Sequence, residues 1–177
     1  LPAPVPAPTP TLHLVAREAE VAPLHQWFAN ALQGKRHLGF ITGEAGIGKT
    51  TLVDTFVAQI AGQAPLWIGR GQCIEQYGAG EPYLPVLEAL GRLARTPDGD
   101  YLKGMLEQHA PTWLAQMPAL LSPADVKGLQ QRVLSATRER MVREFAEALE
   151  VLTNEHPLIL VLEDLHWADA STLELLA

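Results

Sequence analysis

The sequence holds a single cysteine, Cys73, in 177 residues. An internal disulfide is therefore excluded, and so is a metal site built on thiolates alone. A lone cysteine of this kind reads as a small buried hydrophobe rather than a nucleophile. No apolar run approaches the roughly eighteen residues that cross a bilayer, and the opening residues lack the charged-then-apolar order of a signal peptide. A cytoplasmic setting without membrane contact is the expectation. Basic residues are outnumbered, 13 Lys and Arg against 20 Asp and Glu, for a formal net charge of −7. That balance gives this segment no electrostatic reason to bind nucleic acid. His13, His25, His37, His109 and His156 show no ligand-like spacing and are assigned no chemistry.

What is present is a core-forming composition. Hydrophobic residues make up 47% and charged residues 19%, a globular rather than a disordered balance. The length suits one domain with a real core. Its organising stretch is Gly43-Glu44-Ala45-Gly46-Ile47-Gly48-Lys49-Thr50, preceded by the apolar run Leu38-Gly39-Phe40-Ile41. It spells G-x-x-x-x-G-K-T, the phosphate-binding loop between a strand and a helix. Successive backbone N–H groups must curl around a phosphate, and glycine best tolerates the angles and close approaches this needs. Lys49 would place a compact positive charge near the β- and γ-phosphates. Thr50, with Thr51 beside it, opens the following helix; the Thr50 hydroxyl can take a place on Mg²⁺, and the helix N-terminus adds its dipole. A nucleotide ligand is the expectation.

In chain order, Leu1–Pro10 alternates proline with small residues and reads as an extended spacer, so residues 1–12 are a linker and 13–177 the domain. Apolar spacing predicts an amphipathic helix over Arg17–Gln33, stopped near Gly34. Leu38–Thr42 is the expected first strand and Lys49–Ala61 the helix behind the loop, closed by Gly62. Leu66–Gly69 reads as a second strand and Gly71–Gly80 as a loop. A helix through Leu84, Val86, Leu87, Leu90 and Leu93 comes next, then a turn at Thr96–Gly99. Two short helices over Tyr101–His109 and Pro111–Leu121 precede one long helix from about Ala124 to Thr153. On that helix Glu139/Arg143, Arg140/Glu144 and Arg143/Glu147 fall at i, i+4 spacing, as on a solvated face. Strand and helix signals alternate, so the fold class is α/β, a parallel sheet with helices on both faces.

After His156-Pro157, the run Leu158-Ile159-Leu160-Val161-Leu162 is continuously apolar, as for a strand buried on both faces. It ends in Glu163-Asp164 at the C-terminal edge of the sheet, where ligands of such folds sit. Mg²⁺ keeps several waters and takes one or two carboxylates plus phosphate oxygens. One acid can hold the ion while its neighbour orients the attacking water. Lys49, Glu163 and Asp164 are thus the candidate catalytic residues, and Thr50, Glu163 and Asp164 the candidate metal residues. His166 reads as a structural histidine lining the cleft, with γ-phosphate sensing as the other option, and Trp167 as a core anchor. Asp169 or Ser171 can cap a last helix, Ser171 and Glu174 being spaced as a capping box.

Val15-Ala16-Arg17-Glu18-Ala19-Glu20 resembles the G-R-E-x-E entry of AAA-type ATPase domains in large bacterial regulators, with Ala16 where glycine is usual. Gly43–Thr50 matches their phosphate loop. Gly71-Gln72-Cys73, Gly80-Glu81-Pro82-Tyr83-Leu84-Pro85, Arg138-Glu139-Arg140-Met141 and Leu160–Asp169 resemble later segments of the same domains. The resemblance is to the signal-transduction ATPases with numerous domains (STAND), the origin-recognition-like AAA group of LuxR- and SARP-type regulators and nucleotide cyclases. It implies a three-layer P-loop NTPase fold, ATP or ADP with Mg²⁺, and an entry around Val15–Glu18, including Arg17, near the adenine. It also implies a switch that rests with ADP, assembles with ATP and resets by slow hydrolysis. That family orders its two acids Asp-Glu, whereas this chain has Glu163-Asp164, so their division of roles stays open. The chain is expected to be a piece of a longer protein, ending after the metal-binding strand. The family's next strand lies between the phosphate-loop strand and the metal strand, so a gap or an unusual pairing in the sheet is expected.

Three functions follow from this reading. The leading one is a nucleotide-dependent regulatory switch acting on other domains of its own chain, with nucleotide-driven self-association. The others are a non-hydrolysing interaction scaffold and an AAA motor or loader acting on DNA.

Overall fold

The structure, a computed structural model, describes residues 18–63, 65–75, 81–133 and 137–177. They divide into two compact units between residues 64 and 65. The proline-rich linker, Arg17 and residues 76–80 of the expected loop lie outside the described residues.

The first unit is a helix pair and the loop between them. Helix α1 spans Glu18–Ala31 and α2 spans Lys49–Ile60. Val21 and Phe28 of α1 and Leu52, Phe56 and Ile60 of α2 are buried, as the i, i+3, i+7 spacing predicts. Phe28 and Phe56 meet edge-on at 6.4 Å, and His25 meets Phe56 edge-on at 5.3 Å while its Nε2 lies 2.7 Å from Gln59 Oε1. Gly34 (φ 77°) ends the turn after α1, its N–H donating to the Ala31 carbonyl. Gly62 (φ 88°) follows α2 in the same left-handed region.

The expected strand over Leu38–Thr42 does not form among the described residues. An apolar run becomes a strand only when a neighbour completes its hydrogen-bond ladder. Among the described residues no backbone hydrogen bond reaches this segment. Leu38 and Phe40 are more than half exposed, at 53% and 64%. Gly39 instead lies against α1: a Cβ there would fall 2.0 Å from the Trp27 ring, which also stacks on His37 at 6.2 Å.

The second unit is built on two parallel strands, β1 (Trp67–Gln72) and β2 (Leu158–Glu163), in the register Trp67↔Leu158 to Gln72↔Glu163. Strand β1 runs to Gln72, so Gly71 and Gln72 belong to the ladder rather than to a loop. Helix α3 (Leu84–Leu93) covers the sheet, burying Val86, Leu87, Ala89, Leu90 and Leu93. Its first turn presses on β1 so closely that a Cβ at Gly71 would stand 1.7 Å from the Pro85 carbonyl oxygen. Leu158, Leu160 and Leu162 pack on the core, whereas Ile159 and Val161 lie outside it and all six β2 residues are only half-buried. The expected burial of β2 on both faces is therefore not observed. Continuous apolar composition marks a capacity for two-sided burial, and the second cover is a matter of what packs there.

Between the strands run α4 (Gly99–His109), α5 (Pro111–Ala115), a 3₁₀ turn at Pro118–Leu120, α6 (Pro123–Arg132) and α7 (Arg138–Glu155). The single long helix expected over 124–153 is two. Thr137 starts α7 afresh, extended at ψ 163° and accepting from the Arg140 N–H at 3.3 Å. The Glu139 carboxyl is held below the usual range, first by its own backbone N–H and then by the Thr137 hydroxyl.

Core packing centres on Trp113, which stacks on Phe145 at 4.6 Å and donates its Nε1–H to the Met141 carbonyl at 2.8 Å. Of the three expected i, i+4 pairs, Arg140–Glu144 is the one formed among the described residues, at 2.7 Å. It is no solvated pair, because Glu144 is only 6% exposed. Its carboxylate also accepts from the Thr112 N–H at 2.8 Å and hydroxyl at 3.0 Å, capping the first turn of α5. The last helix, α8 (Ala170–Leu176), is capped by Asp169, which accepts from the Thr172 N–H at 3.0 Å. Ser171 and Glu174 form no capping box. Both bind Arg138 of α7, at 2.9 and 2.8 Å.

Candidate functional site

The glycine loop takes the backbone form that its spelling requires. Gly43, Gly46 and Gly48 have φ of 154°, 79° and 91°, values that side chains disfavour, and Gly48 is the residue on which α2 starts. The loop therefore delivers the chain to a helix N-terminus with unpaired N–H groups, an anion-binding arrangement. Lys49 Nζ donates to the carbonyls of Gly43 at 2.9 Å and Glu44 at 3.0 Å, so its ammonium closes over the loop. Glu44, Ala45, Ile47 and Thr50 are exposed and Thr51 half-buried, which leaves the loop open to a ligand.

In the second unit, β1 and β2 end together, and their ends carry the acids. Glu163 is the last residue of β2 and the register partner of Gln72. The Cys73 N–H donates to the Glu163 carbonyl at 2.9 Å, which fixes the backbone there. Arg70 lies on the same face and pairs with Glu163 at 3.8 Å. Asp164 then turns the chain in the left-handed region, φ 56° and ψ 41°, which aspartate tolerates better than most residues. Its carbonyl accepts from the Trp167 N–H at 2.9 Å in a 3₁₀ turn, Leu165–Trp167. Its carboxylate Oδ2 accepts from Gln72 Nε2 at 2.9 Å. The Gln72 N–H in turn donates to Glu88 Oε2 at 2.8 Å, and Glu88 also pairs with Arg92.

Cys73 is buried, at 3% exposed, as expected of a small hydrophobe. Burial pushes its thiol up, and the Asp169 and Asp164 carboxylates add to the effect. Trp167 is not a core anchor: it is 44% exposed and rests beside the exposed His166 ring at 5.0 Å. A 3₁₀ turn straight after the acids carries its side chain outward, which the apolar character of tryptophan does not reveal. Sequence reasoning missed Gln72, Arg70 and Glu88, whose contacts come from strand register and from the packing of α3 on β1. The signal that could have found Gln72 is its place two residues beyond Arg70, on one face of a strand ending beside Glu163.

A glycine loop with positive-φ turns, a lysine at its mouth and a helix behind it has the form of a phosphate-binding loop. The chain belongs to the AAA ATPase domain family, whose model matches residues 13–177. No curated protein and no solved structure matches it. Membership makes this a nucleotide-binding domain of the P-loop NTPase class, and such domains typically bind ATP or ADP with Mg²⁺. Within the second unit, the two adjacent carboxylates at the end of β2 are oxygen donors of the kind that suit a hard cation that keeps most of its waters. Among the described residues no cluster of three His, Cys, Asp or Glu side chains forms a self-sufficient metal site. No described helix is long and apolar enough to cross a membrane.

Proposed function

We propose that this domain is an ATP/ADP-Mg²⁺-dependent regulatory switch, with slow or conditional hydrolysis, in a signal-transduction ATPase that acts on other domains of its chain. The observation that carries the reading is the loop: Gly43, Gly46 and Gly48 in positive-φ conformations leading into α2, with the Lys49 ammonium at the mouth. In this reading the loop N–H groups and Lys49 hold the phosphates, Thr50 is the metal candidate of the first unit, and the Glu163-Asp164 pair is that of the second. Mg²⁺ would offset phosphate charge as the γ-phosphate leaves. The acid pair supports slow turnover. One acid is paired with Arg70 and the other is hydrogen-bonded to Gln72, so neither is a bare base.

The test is a titration of the 177-residue chain with fluorescent ATP and ADP analogues, with Mg²⁺ and with chelator. Saturable binding that favours ADP supports a resting switch. Tighter ATP binding with rapid multiple turnover would favour a motor, and no binding of either nucleotide would overturn the reading.

A further inference from the structure

The second unit holds a cleft of about 610 Å³, bordered by the start of α3, by α5 and by the first turns of α7 and α8. Small organic ligands occupy sites of this size. Tyr83, Ala115, Val133 and Met141 give it an apolar wall, and Gln116, Arg138 and Ser171 bring polar groups to it. Arg138 is the one charged residue of the lining, and no lining residue belongs to the glycine loop or to the acid pair.

Two properties of Tyr83 point to a ligand. The residue is 4% exposed, yet among the described residues its hydroxyl has no hydrogen-bond partner. A buried hydroxyl left unpaired costs free energy, which an acceptor brought by a ligand would recover. Its backbone stands at φ 61° and ψ 15°, a left-handed conformation that is an outlier for so bulky a residue, while its ring is held against Trp113 with centroids 5.0 Å apart. Backbone strain of this kind collects at ligand clamps.

The unspent capacity of the cleft is mostly that of donors. Thr112 is committed, its N–H and hydroxyl both bound by Glu144, and the Thr137 hydroxyl accepts from the Arg140 N–H. Arg138 donates to Ser171 Oγ at 2.9 Å and to Glu174 at 2.8 Å, which leaves further N–H groups on the guanidinium. Ser171 accepts in that bond and keeps its own hydrogen to donate. Gln116 Nε2 lies 3.2 Å from Met141 Sδ, a weak acceptor that an oxygen would replace. The Arg138–Glu174 pair has more than half of the Glu174 side chain exposed, and ion pairs so placed are weak. A ligand carboxylate can therefore share the guanidinium.

We propose that this cleft is a second ligand site, which takes a small organic carboxylate with a flat apolar body. The body packs on the Tyr83 ring and the Met141 thioether. The oxygens accept from the Tyr83 hydroxyl and from the donors of Arg138 and Ser171. The site stands independently of the nucleotide reading.

The test uses 2-naphthoate as the probe and the 177-residue chain carrying carbon-13 in its methionine methyl groups. Met141 lines the cleft, whereas Met105 and Met117 lie in the core away from it, so the three resonances separate the site from the rest. 2-Naphthoate should move the Met141 resonance saturably and leave the other two in place. 2-Naphthylmethylamine, with a cation in place of the carboxylate, should bind about tenfold more weakly or worse, because it meets the Arg138 charge. Tyr83→Phe should weaken 2-naphthoate binding about tenfold. Its urea midpoint should stay at or above the wild-type value, since no bond within the protein is lost, whereas a merely structural hydroxyl would lower it. Ala115→Trp, which fills the cleft, should abolish the movement of the Met141 resonance. No saturable movement in the wild type, equal affinity for the acid and the amine, or wild-type 2-naphthoate affinity in both variants overturns the inference.

Discussion

The Lys49 ammonium lies 2.9 Å from the Gly43 carbonyl oxygen, bridging the first residue of the glycine loop and the first residue of α2. One side chain thus closes the loop on itself and supplies the charge that a phosphate would meet. Charged hydrogen bonds are worth about 1.5–3 kcal/mol, so Lys49→Ala should cost about tenfold or more in ADP affinity. Lys49→Arg should recover little, because a planar fork does not replace a compact ammonium in so tight a loop. The check is the fluorescent-nucleotide titration run on each variant. Equal affinities in wild type and Lys49→Ala would remove the loop from the site.

Gly71 is required by space alone. Its φ is unexceptional, yet a Cβ there would meet the Pro85 carbonyl oxygen at 1.7 Å, and that obstacle is backbone. Gly71→Ala must push α3 away from β1 and loosen the packing of Leu87 and Leu90. Overpacking of this kind costs about 1–3 kcal/mol, and the rigidity of the obstacle favours the upper end. Urea unfolding should show a lower midpoint. An unchanged midpoint would mean that α3 does not sit this closely on the strand.

Glu144 is a buried charge with three donors, the Arg140 Nε–H, the Thr112 N–H and the Thr112 hydroxyl. Removing it takes the acceptor from the buried Thr112 N–H and hydroxyl at the start of α5, while Arg140 keeps partial access to solvent. Hydrogen bonds to a charged group are worth about 1.5–3 kcal/mol, so Glu144→Ala should cost about that much and lower the unfolding midpoint more than Glu144→Gln, which keeps an acceptor. A loss within about 0.5 kcal/mol, the range of ordinary surface changes, would return Glu144 to a solvated face.

These residues also show what the sequence could and could not reveal. Gly43–Lys49 was legible because its chemistry is local: the glycine positions are themselves the turns. Most helices were legible for the same reason, and α3 and α4 fall within a few residues of their expected bounds. Glu144 was misread because a solvated i, i+4 pair and a buried one have the same spelling. Its burial depends on α5 arriving 32 residues away, where Thr112 binds it. Leu38–Thr42 was misread because apolar composition records a capacity for pairing and says nothing of a partner. Gln72 was silent because its meaning lies in a register that pairs it with a residue 91 positions later. The acid pair itself was plain, and what surrounds each acid was not.

Cys73 links the acids to a titration that can be followed directly. Its thiol is pushed up by burial first, then by the Asp169 and Asp164 carboxylates. The thiolate is the reactive form, so iodoacetamide should alkylate native Cys73 far more slowly than the urea-unfolded chain at the same pH. Asp169→Asn should speed the native reaction, because it removes one of the carboxylates while asparagine remains a good helix cap. The stability consequence has a definite sign. A thiol raised in the folded state binds its proton more tightly there than in the unfolded chain. Its contribution is full below the ordinary thiol pKa of about 8.5 and is lost as the pH climbs through the raised folded value. Urea midpoints should therefore fall between about pH 7 and about pH 10 by more in the wild type than in Cys73→Ala. An equal fall in both would show that the thiol takes no part in the alkaline loss. A native alkylation rate matching the unfolded one would show that the end of β1 opens Cys73 to solvent.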